Sequence, residues 1–200
     1  MESGASVKSF AVSKTSKTIV LVGMMGVGKS SVGWRLAKRL GVPFFDSDRE
    51  VERAAGCSVP DIYALWGEKA FKEAEKKTIK RLLDGPVHVL STGDGSFIHQ
   101  DLRQRMLESA ICVWLMADLE TIYRRVSHRK TRPQLLEGDS KEILKTLMEE
   151  RTPIYAEAQL SISSQEEAHD LTVERVLRSL ATYWASGQSS VGQEQPPSLE

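Results

Sequence analysis

The segment that most constrains the fold is "IVLVGMMGVGKSS", residues 19–31. An aliphatic run leads directly into the pattern G-x-x-x-x-G-K-S, which spans Gly23 to Ser30. Between a strand and a helix, this pattern wraps a phosphate group with backbone N–H groups, because glycines leave room where a Cβ would collide. The segment therefore predicts a buried strand, a phosphate-binding loop and a helix, in that order.

The loop also predicts which residues hold a nucleotide. We expect Lys29 to reach the β- and γ-phosphates and to act in catalysis, and the Ser30 hydroxyl to ligate Mg²⁺. The N-terminus of the following helix adds positive potential. The expected cofactors are ATP and Mg²⁺. The predicted phosphate-binding residues are Gly26, Val27, Gly28, Lys29, Ser30 and Ser31.

Short apolar runs alternate with helical patterns along the rest of the chain. The predicted strands are 17–22, 42–45, 87–92, 111–116 and 159–163. The predicted helices are 29–40, 48–56, 59–67, 67–85, 99–109, 118–127, 141–150 and 166–184. Strands separated by helices pair in parallel through crossovers, so the pattern predicts an α/β fold. We expect a three-layer α/β/α sandwich around a five-stranded parallel sheet.

The length of 200 residues suits one compact domain. We predict this domain over residues 17–184, with a disordered N-terminal arm at 1–16 and a disordered C-terminal tail at 185–200. The stretch at about 127–140 is polar, basic and interrupted by proline. It is typical of a mobile surface segment, and we expect it to be a lid that excludes water from the site.

Composition excludes several classes of function. Lys plus Arg and Asp plus Glu are 27 each, so a general nucleic-acid binder is not expected. No apolar run approaches the roughly 20 residues of a membrane span. Cys57 and Cys112 have no metal or disulfide spacing, which favours two buried, reduced thiols. We expect a cytoplasmic monomer that acts on a small molecule.

Two acids, Asp46 and Asp48, follow the second predicted strand. One could hold a hydrated metal, while the other accepts a proton from a substrate hydroxyl or orients it. The same pair could instead cap the next helix and occupy its first turn. The sequence contains no N-K-x-D stretch that would read guanine. These features favour a small-molecule phosphoryl transferase over a GTPase or a motor.

Six segments together carry a family resemblance. They are "GMMGVGKSSVG", "FFDSDREVE", "GEKAFKEAE", "VLSTGDGSF", "TRPQLL" and "EERTPIYAEA", in that order. Over roughly residues 17–180 the chain resembles shikimate kinase, a family of the P-loop, nucleoside monophosphate kinase-like group. The resemblance implies ATP-dependent phosphorylation of the 3-hydroxyl of shikimate, with Mg²⁺ and a lid.

The resemblance also implies roles for individual residues. Asp46 is similar to the acid near Mg²⁺, and Asp48 to the acid that holds the shikimate hydroxyls and is the candidate base. Arg132 resembles a catalytic lid arginine that reaches both the substrate and the transferring phosphate. Arg125 resembles the arginine that packs on the adenine. Arg151 resembles the arginine that grips the substrate carboxylate.

Further positions fall where the family supports its substrate and metal. Three of the residues with implied roles also have a purely structural reading. Arg151 could be a local partner of Glu149 or Glu150, Phe71 could be a core residue, and Glu75 could be a surface partner of Lys72. The supporting positions that the resemblance implies are Tyr63, Phe71, Glu75, Ser91, Gly93 and Gly95.

Two positions depart from the family pattern. Lys72 stands where the family has an arginine of the substrate site, and lysine lacks the flat, two-pronged grip on a carboxylate. Asp94 stands in the middle of three family glycines beside the substrate ring. Its carboxylate would project toward a pocket for an anion, and at an effective dielectric of ~20 two like charges ~4 Å apart repel by about 4 kcal/mol. Asp94 is also a second candidate for the Mg²⁺-associated acid, ranked below Asp46.

These departures leave three accounts of Asp94 open. It is a tolerated variant, a mark of an impaired or engineered kinase, or a mark of a kinase for a different polyol acid such as gluconate. A fourth reading of the whole chain is a nucleotide-binding regulator with impaired substrate recognition through Lys72 and Asp94.

Overall fold

A computed structural model describes residues 16–127, 140–164 and 168–187 of the chain. Nearly all of the predicted N-terminal arm, nearly all of the predicted lid with Arg132, and most of the predicted tail lie outside these residues. The strands are β1 Thr18–Val22, β2 Phe44–Asp46, β3 Val89–Ser91, β4 Ala110–Met116 and β5 Leu160–Ser163. The helices are α1 Lys29–Leu40, α2 Ser47–Ala55, α3 Val59–Leu83, α4 Gln100–Ser109, α5 Leu119–Ser127, α6 Ser140–Tyr155 and α7 His169–Ala185, with a 3-10 turn at Ser96–Ile98.

All five strands pair in parallel in the order β2-β3-β1-β4-β5. The central strand β1 sets Ile19 opposite Val89 of β3 on one side and Ile111 of β4 on the other. The chain therefore passes from β1 to the edge strand β2, returns to β3 beside β1, and then crosses to β4 and β5, so the strand order switches sides next to β1. In open α/β sheets such a switch point leaves a crevice at the carboxyl ends of the strands, where ligands bind.

Helices cover both faces of this sheet. Every residue of β4 is buried, and alternate residues of a strand point to opposite faces. Helices α1 and α7 pack against each other, while α4 packs against β4 and α3. The predicted α/β sandwich with a five-stranded parallel sheet is confirmed.

Glycines end or interrupt helices where the sequence predicts. Gly41 has φ +68° and donates its N–H to the Ala37 carbonyl, which terminates α1. Gly67 has φ +81° and ψ 170°, so α3 is two helical segments joined at a kink. This break falls where the predicted helices 59–67 and 67–85 meet.

Other boundaries differ from the prediction. Strand β2 begins at Phe44 rather than at residue 42, because Pro43 has no N–H to give to the ladder and supplies only its carbonyl to Val89. Of the predicted strand 87–92, only Val89–Ser91 forms a strand, β3. Helix α6 runs past the predicted end at residue 150 to Tyr155, with Pro153 in its last turn.

A second, smaller core lies apart from the core around the sheet. It contains Val51 of α2 with Ile62 and Phe71 of α3, and the Tyr63 ring lies 5.1 Å from the Phe71 ring. Phe71 is therefore a core residue that fastens α2 to α3, as its alternative reading predicts. This small core holds the beginning of α2, and hence Asp48, against the rest of the chain.

The two cysteines differ in burial. Cys112 lies in β4 and is fully buried, which raises the pKa of its thiol. Cys57 is only partly buried, so the prediction of two buried thiols is wrong for this residue. In the described ranges, no helix has the length and apolar character that crossing a membrane requires.

His88 gives the fold a pH dependence. Its imidazole is almost fully buried, Nδ1 lies 2.8 Å from the Pro86 carbonyl, and Nε2 has no hydrogen-bond partner among the described residues. Burial lowers the pKa of His88 below its ordinary value of 6.5, against the opposing effect of the Pro86 carbonyl. Stability from the neutral ring is therefore present above 6.5 and lost as the pH falls below it, because the unfolded chain binds the proton more readily.

We predict that His88→Phe flattens this pH dependence. Phenylalanine cannot take up a proton and can keep the edge contact with Phe45, whose ring lies 5.0 Å away. Urea unfolding from about pH 7.5 to about pH 5.5 should show a smaller loss of stability for the variant than for the native chain. Equal slopes for the two proteins would contradict this role of His88.

Candidate active site

A cavity of about 300 Å³ lies at the carboxyl ends of β1, β2 and β3. It contains most of the residues that the sequence singled out, although they are spread over almost the whole chain. The lining residues are Met25, Gly26, Gly28, Lys29, Ser30, Ser31, Asp46, Asp48, Ser91, Thr92, Gly93, Asp94, Arg125 and His169.

The phosphate-binding loop forms one end of the cavity. Gly26 and Gly28 have φ of +78° and +96°, and a Cβ at Gly26 would lie 2.8 Å from a methyl group of Val126. Lys29 is buried, and its ammonium donates to the carbonyls of Gly23 at 2.7 Å and Met24 at 2.9 Å. The loop therefore holds a positive charge at its centre, where phosphate oxygens are expected.

Val27 does not line this cavity. Its side chain is buried and faces a neighbouring apolar cavity of about 250 Å³, which Trp114 and Tyr155 also line. The Val27 carbonyl accepts a hydrogen bond from Ser164 Oγ at 2.8 Å. The predicted contact of Val27 with a phosphate thus rests on its backbone N–H alone.

Oxygen atoms from three elements meet beside the loop. Ser30 Oγ donates to Asp46 Oδ2 at 2.6 Å and lies 3.3 Å from Ser91 Oγ. Asp46 Oδ1 also accepts from the Arg49 N–H and so caps α2. Both readings of Asp46, metal acid and helix cap, are therefore compatible in one side chain.

These oxygens suit a hard cation. Mg²⁺ in nucleotide sites keeps several waters and takes only one or two carboxylates, together with substrate phosphates. The described residues contain no cluster of three or more His, Cys, Asp or Glu side chains, which a site made wholly of protein ligands would need. One carboxylate and two hydroxyls fit the nucleotide-dependent kind of Mg²⁺ site.

Glu75 organises the opposite end of the cavity. It is buried, and its Oε1 accepts from Ser47 Oγ at 2.8 Å, Gly93 N–H at 3.0 Å and Ser96 Oγ at 2.6 Å. The alternative reading of Glu75 as a surface partner of Lys72 is wrong. Sequence reasoning also missed Ser47 and Ser96, because a single serine in a first turn or in a loop carries no distinctive pattern.

The absence of a side chain at Gly93 lets this network close. A Cβ there would lie 2.3 Å from Glu75 Oε1 and 3.3 Å from Asp48 Oδ1. Gly95, only two residues later, has φ −91°, and a Cβ there would meet no described atom within 4 Å. Gly95 does not line the cavity, so its predicted contact with the substrate has no support in the geometry.

We predict that Gly93→Ala lowers the free energy of unfolding by about 2–3 kcal/mol and weakens acceptor binding, since Glu75 would have to leave buried donors unpaired. Gly95→Ala is the matched control and should stay within about 0.5 kcal/mol of the native chain. Chemical denaturation of both variants checks the difference. Equal stability of the two would show that Glu75 moves aside freely.

Arg151 and Asp94 form an ion pair across the acceptor end. Arg151 Nη1 donates to Asp94 Oδ2 at 2.9 Å, and Tyr155 OH donates to the backbone carbonyl of Asp94. The alternative pairing of Arg151 with Glu149 or Glu150 is not what the structure has. Asp94 lies at Arg151 and not at the Ser30 oxygens, so its reading as the metal acid lacks support.

Lys72 is not brought to the cavity. Its ammonium pairs with Glu68 at 2.8 Å, one helical turn earlier, and both side chains are about half exposed.

The pKa of Tyr63 reflects the acidic side chains around the acceptor end. Burial first, and then Glu68, Asp94 and other nearby carboxylates, raise the pKa of Tyr63 to about 12.

Two residues flank the outer side of the loop. Arg125 Nη1 donates to the Gly26 carbonyl at 3.2 Å. The His169 ring approaches to 3.4 Å of the position that a Cβ on Gly28 would take. Burial and then the charges of Arg35 and Arg125 lower the pKa of His169, so its ring is neutral at pH 7. The sequence predicted Arg125 but not His169, which begins α7 without any motif.

Comparisons with known proteins agree with this geometry. A family model described as shikimate kinase matches residues 25–181. A shikimate kinase of Paramagnetospirillum magneticum is 51% identical over 170 residues, covering 85% of this chain and 87% of the relative. A shikimate kinase of Caulobacter vibrioides is 50% identical over 165 residues, covering 82% of each chain.

A solved structure agrees as well. The shikimate kinase of Acinetobacter baumannii in complex with shikimate superposes with a TM-score of 0.81 at 32% identity, covering 84% of this chain and 95% of that one. The family model and the curated relatives each span most of the chain, and together with the phosphate-binding loop at the switch point of the sheet they assign it. The chain belongs to the shikimate kinase family.

Proposed function

We propose that this protein transfers the γ-phosphoryl group of ATP to the 3-hydroxyl of shikimate. The observation that carries the proposal is one cavity with two chemically different ends. A phosphate-binding loop with Lys29 forms one end, and Asp48 and Asp94 line the other; Arg151 does not line the cavity itself but contacts it through Asp94. The relative solved with bound shikimate supports the choice of acceptor.

ATP occupies the loop end in this proposal. The backbone N–H groups of 26–31 surround the β- and γ-phosphates, and the Lys29 ammonium exchanges the Gly23 and Met24 carbonyls for phosphate oxygens. Arg125 and His169 line the cavity beside the loop, and in this proposal Arg125 packs on the adenine. Arg132, from the predicted lid, would add positive charge at the transferring phosphate.

Mg²⁺ binds beside the loop in this proposal. The Ser30 hydroxyl would hold it directly, and Asp46 and Ser91 would hold its waters, in keeping with the oxygen atoms already gathered there. When bound, Mg²⁺ would offset the negative charge of the β- and γ-phosphates.

The acceptor end positions the hydroxyl that is phosphorylated. Asp48 accepts the hydroxyl proton as the acceptor oxygen forms its bond to the γ-phosphorus and the bond from that phosphorus to ADP breaks. Arg151 binds the acceptor carboxylate and so fixes the ring relative to Asp48. Glu75 keeps the Gly93 turn in place without contacting the reacting atoms.

The two ends of the cavity come from one chain. We therefore propose a monomer as the working form, which light scattering on the purified protein tests. We also propose that it acts in the cytoplasm, where ATP and a reducing environment for Cys57 are available.

The decisive experiment supplies Mg-ATP with shikimate, gluconate or quinate and identifies any phosphorylated product by mass spectrometry and ³¹P NMR. We expect product from shikimate, phosphorylated at the 3-hydroxyl. A higher kcat/KM for gluconate would assign the chain to a different polyol acid. Tight ADP binding without any phosphorylated product would favour the nucleotide-binding regulator.

A further inference from the structure

Both cations that the sequence assigns to the acceptor carboxylate are already paired with acids of this chain. Arg151 contacts Asp94 at 2.9 Å, and Lys72 contacts Glu68 at 2.8 Å. A carboxylate that binds either cation must therefore share or displace a carboxylate that is present before it arrives.

The two pairs differ in burial. The Arg151 and Asp94 side chains are 19% and 14% exposed, whereas those of Lys72 and Glu68 are 46% and 44% exposed. Solvent screens an exposed pair strongly and a nearly buried pair much less. Of these two paired acids, Asp94 is thus the one whose charge an incoming anion would feel more strongly.

Asp94 is also held in place by its backbone. The Tyr155 hydroxyl donates to the Asp94 carbonyl, and Tyr155 follows Arg151 by one turn of α6. The Tyr155 ring is fully buried and stacks near Phe97 and Trp114, at centroid distances of 6.2 Å and 6.0 Å. Because α6 binds Asp94 through both its carboxylate and its carbonyl, the loop keeps the acid at the guanidinium.

Asp94 contacts Arg151 and also lines the cavity, whereas Arg151 does not line it. Asp94 lines the same space as Asp48 and Gly93, which form the acceptor end. Its carboxylate therefore has the position and the charge of a built-in carboxylate ligand for Arg151.

We propose that Asp94 determines acceptor affinity by competing with the substrate carboxylate for Arg151. This inference rests on the proposed function, in which Arg151 binds that carboxylate. Acceptor binding is then an exchange of one carboxylate for another at the guanidinium. The site then discriminates among carboxylic acids by their hydroxyl groups. Contacts of an acceptor's hydroxyls with Asp48 compensate for the displacement of Asp94, whereas a carboxylate without such hydroxyls gains little binding free energy.

The test compares Asp94→Asn and Asp94→Gly with the native chain. Binding of shikimate and of its methyl ester is measured by calorimetry with ADP present, so the result does not depend on turnover. The ester keeps the hydroxyls and lacks the negative charge. We expect both variants to bind shikimate about tenfold more tightly, and the ester with less than about twofold change.

Kinetics and a control give independent readouts. With shikimate as acceptor, KM should fall by a similar factor while kcat stays within about twofold. Asp101→Asn is the matched control, since Asp101 lies in an exposed cluster with Lys76 and Lys80 and does not line the cavity. It removes the same charge and should change neither constant. Thermal melts of all variants verify that they are folded.

Several outcomes would overturn the inference. Weaker shikimate binding in both Asp94 variants would make Asp94 a positioning residue for Arg151. Equal gains in affinity for shikimate and for the ester would point to a steric effect of Asp94. If neither ligand binds to any folded variant, the proposed competition at Arg151 is wrong. If shikimate binds as expected but is never phosphorylated, the proposed function fails while the competition at Arg151 stands.

Discussion

Replacing Lys29 with methionine is expected to lower kcat by about a thousandfold or more, with the fold intact. Methionine preserves the length and apolar stem of this buried side chain but removes its ammonium. No other described side chain places a cation at the centre of the phosphate-binding loop, so the charge that develops on the transferring phosphate loses its partner. A coupled assay of ADP release with saturating shikimate measures the effect.

The control for this substitution is Lys38→Met in the same helix. Lys38 is exposed and lies over the Trp34 ring at 5.7 Å, away from the cavity. It should leave kcat within about twofold of the native value. A comparable loss of kcat in both variants would mean that the substitutions damage α1, and that the loss does not come from the Lys29 ammonium.

Replacing Arg151 with methionine is expected to raise the KM for shikimate about a hundredfold and to leave the KM for ATP unchanged. Loss of a charge-assisted hydrogen bond explains part of this effect. The remainder comes from Asp94, whose nearly buried carboxylate would lose its pairing with Arg151 and repel the acceptor. Initial rates over a grid of both substrate concentrations separate the two constants.

The double variant Arg151→Met with Asp94→Asn distinguishes these two contributions. If the Asp94 charge adds to the loss once Arg151 is absent, Asp94→Asn should improve shikimate binding by a larger factor in the Arg151→Met background than in the native chain. Additive effects of the two substitutions would show that the residues act independently. An equal rise in the KM for ATP would contradict the assignment of Arg151 to the acceptor end.

The sheet, the loop and the acids after β2 were predictable because their signals are local. The loop pattern in 23–30 fixes its own conformation through glycines and a helix start. Buried aliphatic runs mark parallel strands, and the parallel arrangement then brings their carboxyl ends together. Asp46 and Asp48 follow from this rule, and both line the cavity.

The pairings at the acceptor end could not be read from the sequence. Arg151 has acids beside it in the chain, yet it pairs with Asp94, 57 positions away. Glu75 has lysines around it, yet it lies buried among hydroxyls and a backbone N–H. Which charge faces which depends on how α3 and α6 rotate as they pack, and neighbours along the chain do not encode that rotation.

The small core of Val51, Ile62 and Phe71 has a consequence for dynamics. It shares no residue with the large core around the sheet, so we expect the part of the cavity that carries Asp48 to open on its own, at a lower free energy than global unfolding. Amide hydrogens of α2 and of the first segment of α3 should then exchange faster than those of β1 and β4. We expect this part of the acceptor end to loosen for product release, while the phosphate-binding loop and the Arg151–Asp94 pair, which Tyr155 fastens to the large core, stay in place.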